Sequence, residues 1–298
     1  PADHLINDVP AFHAAVAAVG AERVLPAHLP APPRGRTLVV GAGKAAAAMA
    51  ACLEAHWPAA SPLAGLMITR HGHGVPTRRI DVVEAGHPLP DAAGLAAAER
   101  LLRRVGDAGP DDRVLALISG GGSSLLTLPV AGLELADARA ASQALLDSGA
   151  PIADINCVRK HLSRTLGGRL AAACRAPTRV LMISDVTGDD PSVIASGPFA
   201  PDPTTYADAL SVFERWRITP PPAVRSYLED GVAGLHGETP KPGADCFHRV
   251  EHRLLANGRA ALLGAAAHFR ERGVTPVILG DTVTGEADLK ISDKITLK

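Results

Sequence analysis

The sequence predicts an α/β protein: a Rossmann-like, mostly parallel sheet with helices on both faces. Two observations carry this. Short runs rich in Val, Ile and Leu alternate with Ala-rich stretches along most of the chain, the pattern of strand–helix units joined by right-handed crossovers. Several of those runs also end in glycine- or aspartate-bearing loops. In such sheets these loops gather outside the carboxyl ends of the strands, where ligands bind.

In order, residues 11–25 are expected to be helical and to be closed by a Pro-rich connector at 26–33. A strand over 36–40 turns through Gly41-Ala42-Gly43-Lys44 into an Ala-rich helix reaching about His56. Strands follow at 66–69 and 80–84, with the loop Arg70-His71-Gly72-His73-Gly74 between them. A helix over 91–104 opens on an acidic cap, Asp91, and leads to the Leu-rich strand 113–118. Helices are expected at 135–146, 151–164 and 168–175, then a strand at 179–183. Pro-studded loops around Ser196-Gly197-Pro198 precede helices at 204–217 and 222–230. After a connector over 237–245 come a strand at 249–255, a helix at 258–272 and a strand at 274–279 ending in Gly280. Exits at Gly41, Ser119, Ser184 and Gly280 are therefore expected to share one rim of the sheet.

A chain of 298 residues, 47% hydrophobic, can bury one large core or divide in two. A formal net charge of −1 gives no whole-chain electrostatic reason to expect nucleic acid or an anionic membrane as partner. Aromatic residues at 3% also weaken any base-stacking role. No apolar run reaches the length of a membrane span, and Asp3, His4 and Asp8 do not suit a secretory leader. Cys52, Cys157, Cys174 and Cys246 are isolated and read as small core residues of a reducing compartment, so a soluble cytoplasmic protein is expected.

Ser119-Gly120-Gly121-Gly122-Ser123-Ser124 follows the strand at 113–118. Three glycines remove every Cβ from the turn and let successive N–H groups face one concavity, while the hydroxyls add donors. That is what a phosphate-cradling loop needs. Gly41-Ala42-Gly43-Lys44-Ala45-Ala46 fits a dinucleotide fingerprint if Ala46 stands for the third glycine. The next strand ends at Thr69-Arg70, without the carboxylate that holds a ribose hydroxyl, although Arg70 suits a 2′-phosphate. Lys44, before a helix, suits a phosphoryl group.

Asp185, Asp189 and Asp190 surround Gly188 after the strand at 179–183. Phosphoryl transfer needs Mg²⁺ on oxygen ligands and a group that deprotonates the acceptor. Asp185 and Asp189 are candidates for the second task, and Asp185 and Asp190 for the first. On the helix from residue 151, Ile152, Ile155, Val158 and Leu162 form an inward stripe. Asn156, Arg159, Lys160 and Ser163 lie on another face, where an amide and two cations suit a carboxylate or a phosphate. His71, His73 and His87 have no fourth ligand in register, which argues against zinc.

These segments together resemble the class II glycerate 2-kinases, the glycerate kinase family with a MOFRL domain, members of which are also called hydroxypyruvate reductases. The resemblance rests on Val39 to Ala45, Ala85-Gly86-His87-Pro88, Ile118 to Ser124, Asn156 to Ser163, Ser184 to Pro191 and Ile194 to Pro198. Leu255-Ala256-Asn257 and Gly285-Glu286-Ala287 also fit. It implies phosphorylation of D-glycerate at its 2-hydroxyl with ATP and Mg²⁺, with Lys44 as catalytic cation and the 119–124 loop on phosphate. The Asn156–Lys160 face or Arg70 would meet the glycerate carboxylate. It also implies a Rossmann-like domain over 1–236 and, over 237–298, a connector with strand, helix and strand leading toward a smaller domain. The tail 288–298 departs from the family pattern and the MOFRL motif is absent, so the chain reads as truncated. A homo-oligomer is compatible with the sequence. An NAD(P)H-dependent hydroxypyruvate reductase and a nucleotide-binding module without turnover are the rival readings.

Overall fold

The structure is a computed structural model that describes residues 9–281. The 285–287 segment and the tail 288–298 lie outside the described residues. The chain runs α1 (Val9–Val19), α2 (Ala21–Val24), β1 (Thr37–Ala42), α3 (Ala46–His56), β2 (Leu63–Arg70), β3 (Ile80–Ala85), α4 (Ala92–Gly106) and β4 (Arg113–Ser119). There follow α5 (Gly122–Leu125), α6 (Leu135–Asp147), α7 (Ile152–His161), α8 (Arg169–Ala173) and β5 (Thr178–Ile183). The last described elements are α9 (Tyr206–Arg215), α10 (Pro222–Val232), β6 (Val250–Ala256) and α11 (Gly258–Glu271).

The six strands lie in the order β3-β2-β1-β4-β5-β6, and every neighbouring pair is parallel. The chain therefore reverses its direction of winding between β1 and β4. A crevice opens at such a switch point outside the carboxyl ends of the strands.

Side-chain alternation sorts the sheet into two faces. Leu38, Val40 and Ala42 of β1 join Val114, Ala116 and Ile118 of β4 in one buried layer with α4, α5 and α8. Val39, Leu115, Leu117 and Leu181 point the other way, into a layer with α2 and α3. Both faces are covered, which is why these strands read as continuous apolar runs. A third buried cluster joins α6, α7, α9 and α10 around Leu145, Val158, Tyr206 and Phe213. Its helices start on explicit signals: Thr205 and Asp208 form a capping box at α9, as Asp91 caps α4 and Asn257 caps α11.

Three expectations need correction. The helix over 11–25 breaks at Gly20, whose extended backbone (φ −62°, ψ 144°) ends α1 and caps α2. Residues 274–279 form no strand: Val274, Val277 and Leu279 stay exposed, so no burial offsets the entropy of ordering them. Ile152 is 58% exposed and outside the inward stripe, whereas Ile155, Val158 and Leu162 are buried as expected. The short helix α5 had no periodic signal.

Burial holds the pKa values of His161 and His252 below the ordinary 6.5. The unfolded chain then binds protons near 6.5 that the folded chain refuses, so stability falls as pH falls through that region. The melting temperature is expected to drop by several degrees from about pH 7.5 to about pH 5.5. Carboxylates held below 3.8, such as Asp202, contribute equally at both ends of that window.

Candidate active site

The loops after β1, β2 and β4 are stitched into one platform. The Lys44 N–H donates to the Gly120 carbonyl at 2.9 Å, and the Ala45 N–H donates to Ser119 Oγ at 3.1 Å. Thr69 Oγ1, at the end of β2, donates to the Gly43 carbonyl at 3.0 Å. Gly41 makes the close approach of β1 and β4 possible. Its φ is +151°, and a Cβ there would lie 2.0 Å from the Leu117 carbonyl oxygen.

At this rim a cavity of about 250 Å³ is lined by Lys44, His87, Gly121, Ser123, Ser124, Asn156, Arg159 and Asp185, with Leu146, Ile152, Val186, Val193 and Ala195 as its apolar wall. A larger cavity, about 760 Å³, lies beside Trp57, Thr77 and Arg79, away from the strand exits. Size alone does not locate the chemistry; convergence of polar groups does.

The glycine loop touches the neighbouring side chains of Asp185, His87, Lys44 and Ser196. A Cβ on Gly120 would fall 1.9 Å from Asp185 Oδ2, so the carboxylate packs directly on the glycine backbone. Gly121 has φ +84°; its Cβ position is 2.8 Å from His87 Nε2 and 3.2 Å from Lys44 Cε. Ser123 Oγ is 2.8 Å from Ser196 Oγ. Ser196 and Ala195 both hold positive φ, +57° and +51°, although neither is glycine, a backbone cost that recurs at functional sites. The Gly120, Gly121 and Gly122 carbonyls accept from Lys44 N–H, Ser124 Oγ and Leu126 N–H. Lone pairs that would repel an anion are thereby engaged.

Two groups on α7 face this loop with their needs unmet. Arg159 is partly buried and burial lowers its pKa from 12.5, yet its one hydrogen bond in the described residues is a long 3.4 Å contact to Ser142 Oγ. No carboxylate pairs with it among the described residues. Asn156 is 5% exposed and its Oδ1 has no hydrogen-bond partner. A partly buried cation without a counter-charge and a buried amide oxygen without a donor are costly unless a ligand completes them.

Not every expected residue reaches the cavity. Lys160 turns away: its ammonium is buried 3.3 Å from Asp202 Oδ1, and Thr204 and Thr239 also donate to that carboxylate. A helix buried on nearly all sides has no solvated face for Lys160 to occupy. Lys160→Met is expected to lower the melting temperature, while KM for any acceptor stays within about threefold of wild type, because the pair's contribution is structural. Asp189 Oδ2 accepts from Asn257 Nδ2 at 2.6 Å, and Asp190 Oδ1 accepts from the Ser192 N–H at 2.8 Å; neither lines the cavity. Arg70, exposed at the end of β2, acts on the site through its charge on His87. Gly41, Gly43 and Ser119 support the platform from behind.

The sequence marks His87 as a poor metal ligand and as part of the Ala85-Gly86-His87-Pro88 segment of the resemblance, and gives it no role of its own. The signal for more was present, since Gly86-His87-Pro88 follows directly on β3 and is a strand exit like the others. His71 instead pairs with Asp91 at 3.0 Å, and His73 Nδ1 donates to the Lys44 carbonyl. Among the described residues no three His, Cys, Asp or Glu side chains come together as a metal site. All four cysteines are free. No helix among the described residues is long and apolar enough to cross a membrane.

Comparison with known proteins adds relatives to this geometry. A family model described as a domain of unknown function, DUF4147, matches residues 9–229. A protein of Agrobacterium vitis with the provisional name hydroxypyruvate reductase is 50% identical over 277 residues, 93% of this chain and 61% of that protein. The glycerate 2-kinase of Pyrococcus horikoshii is 38% identical over 256 residues, 85% of this chain and 57% of that protein. The crystal structure of a glycerate kinase from Thermotoga maritima superposes with a TM-score of 0.75 at 35% identity, covering 92% of this chain and 64% of that one. The chain thus spans roughly three fifths of the length of these relatives.

Proposed function

The chain belongs to the DUF4147 family, and from that premise we propose that it serves ATP-dependent phosphorylation of D-glycerate at the 2-hydroxyl. The observation that carries this is Arg159: a partly buried guanidinium with no carboxylate partner among the described residues, opening on the same cavity as Lys44 and the glycine loop. Two kinds of anion fit there, a polyphosphate on the loop and a small carboxylate on Arg159 and Asn156.

Lys44 and the Gly120–Ser124 loop would hold the phosphoryl groups and offset charge as it spreads over the transferring group. Mg²⁺ would supply further charge neutralisation for the phosphoryl groups. It usually needs only one or two protein carboxylates beside the phosphates, and Asp185 is the carboxylate at the cavity, so the residues present fit the ion. Asp190, tied to the Ser192 N–H, lies outside this set.

The dinucleotide alternative draws on the Agrobacterium relative's name and on Gly41-Ala42-Gly43. Against it, a Cβ at Gly43 would sit 2.1 Å from Ser119 Oγ; this glycine admits a neighbouring strand, not a pyrophosphate. Coupled measurement of ADP release is expected to show turnover that depends on D-glycerate. Oxidation of NADPH by hydroxypyruvate, followed by absorbance, would favour a reductase instead. ATP binding with neither reaction would favour a nucleotide-binding module. A cytoplasmic location belongs to the same proposal and rests on the isolated, free cysteines.

A further inference from the structure

We propose that His87 is the group that takes the proton from the acceptor hydroxyl during phosphoryl transfer. This deepens the kinase reading and rests on it.

His87 sits in the cavity wall beside Lys44 and the glycine loop. Its Nε2 and the Lys44 side chain both lie within 3.2 Å of one point above Gly121, in the wall of the cavity that also holds Arg159 and Asp185. Three other histidines near the strand exits or on α7 are engaged: His71 by Asp91, His73 by the Lys44 carbonyl, and His161 Nδ1 by the Cys157 carbonyl. Among the described residues neither ring nitrogen of His87 has a hydrogen-bond partner, so both remain open to a substrate.

The charges around it set its state. Lys44 faces it from the β1–α3 turn, Arg70 from the end of β2, Arg159 from α7 and Asp185 from the loop after β5. Burial and the three cations outweigh the one carboxylate and hold the imidazole neutral, its pKa below 6.5. A neutral imidazole keeps a lone pair on one ring nitrogen and can accept a proton there. Asp189, the other carboxylate considered, is held by Asn257 outside the cavity.

The step balances. As the 2-hydroxyl oxygen bonds to the γ-phosphorus, the bond from that phosphorus to the β–γ bridging oxygen breaks and ADP leaves with the electron pair. The hydroxyl proton passes to Nε2, and the imidazolium later returns it to solvent.

The test measures D-glycerate-dependent ADP release by the 298-residue chain across pH, in the wild type and in His87→Gln and His87→Ala. The wild-type rate is expected to fall on acidification with a midpoint below 6.5, because protonation removes the acceptor lone pair. His87→Gln is expected to lose about 10²–10³-fold in kcat with KM for ATP little changed, and to lose the acid limb. Added imidazole is expected to restore part of the rate of His87→Ala, an effect no structural role would produce. A glutamine variant with near wild-type kcat and the same acid limb overturns the assignment and leaves the kinase reading standing. A wild-type chain that releases no ADP with glycerate removes both.

Discussion

Lys44→Ala is expected to cut glycerate-dependent ADP release by about 10²–10³-fold, the usual loss when one preorganised charge or donor is taken from a transferring group. The side chain is exposed and has no ion-pair partner among the described residues. What holds the turn in place is the Lys44 backbone, whose N–H reaches Gly120 and whose carbonyl takes His73. Alanine keeps both contacts. The melting temperature should therefore stay near the wild-type value while kcat collapses. Lys44→Arg is expected to recover only part of the rate, since a planar fork does not replace a compact point charge. A Lys44→Ala chain with full turnover would remove the lysine from the mechanism.

Gly41→Ala should act in the opposite way, on the fold. The added methyl meets the Leu117 carbonyl oxygen at 2.0 Å inside the sheet, and the backbone must also hold φ at +151°. Neither element can yield, because Gly41 pairs with Met67 on one side and Leu117 on the other. Overpacking and the left-handed penalty together are expected to cost about 3–5 kcal/mol. That is a large share of the roughly 5–15 kcal/mol a domain has. Denaturant unfolding, or loss of soluble protein on expression, measures it.

The sheet was legible because its strands are buried on both faces. Runs such as Val114 to Ile118 carry apolar residues without a break, and glycine or aspartate loops punctuate them. Strand order was not written in the runs themselves; it follows from which crossovers pack, and only the structure shows winding reverse between β1 and β4. The polar residues of α7 were harder. Spacing grouped Asn156, Arg159 and Lys160, but a helix enclosed by α6, α9 and the chain near Asp202 distributes them by local partners. Arg159 goes to the cavity and Lys160 to a buried carboxylate. Periodicity cannot see which partner waits on each side.

His87 shows a different limit. Metal-ligand spacing says nothing of where it sits, whereas its position directly after β3 places it on the rim of the cavity. The strand at 274–279 failed because an apolar run by itself does not specify what will cover it.

The charge arrangement around the cleft has a consequence for how a substrate arrives. The molecule is close to electrically neutral as a whole, yet Lys44, Arg70 and Arg159 converge here against the single carboxylate of Asp185. Low-dielectric walls focus such a local excess outward. Encounter with polyanions would then be hastened in dilute buffer and slowed as added electrolyte shortens the reach of the field, although nothing in the overall isoelectric balance announces it.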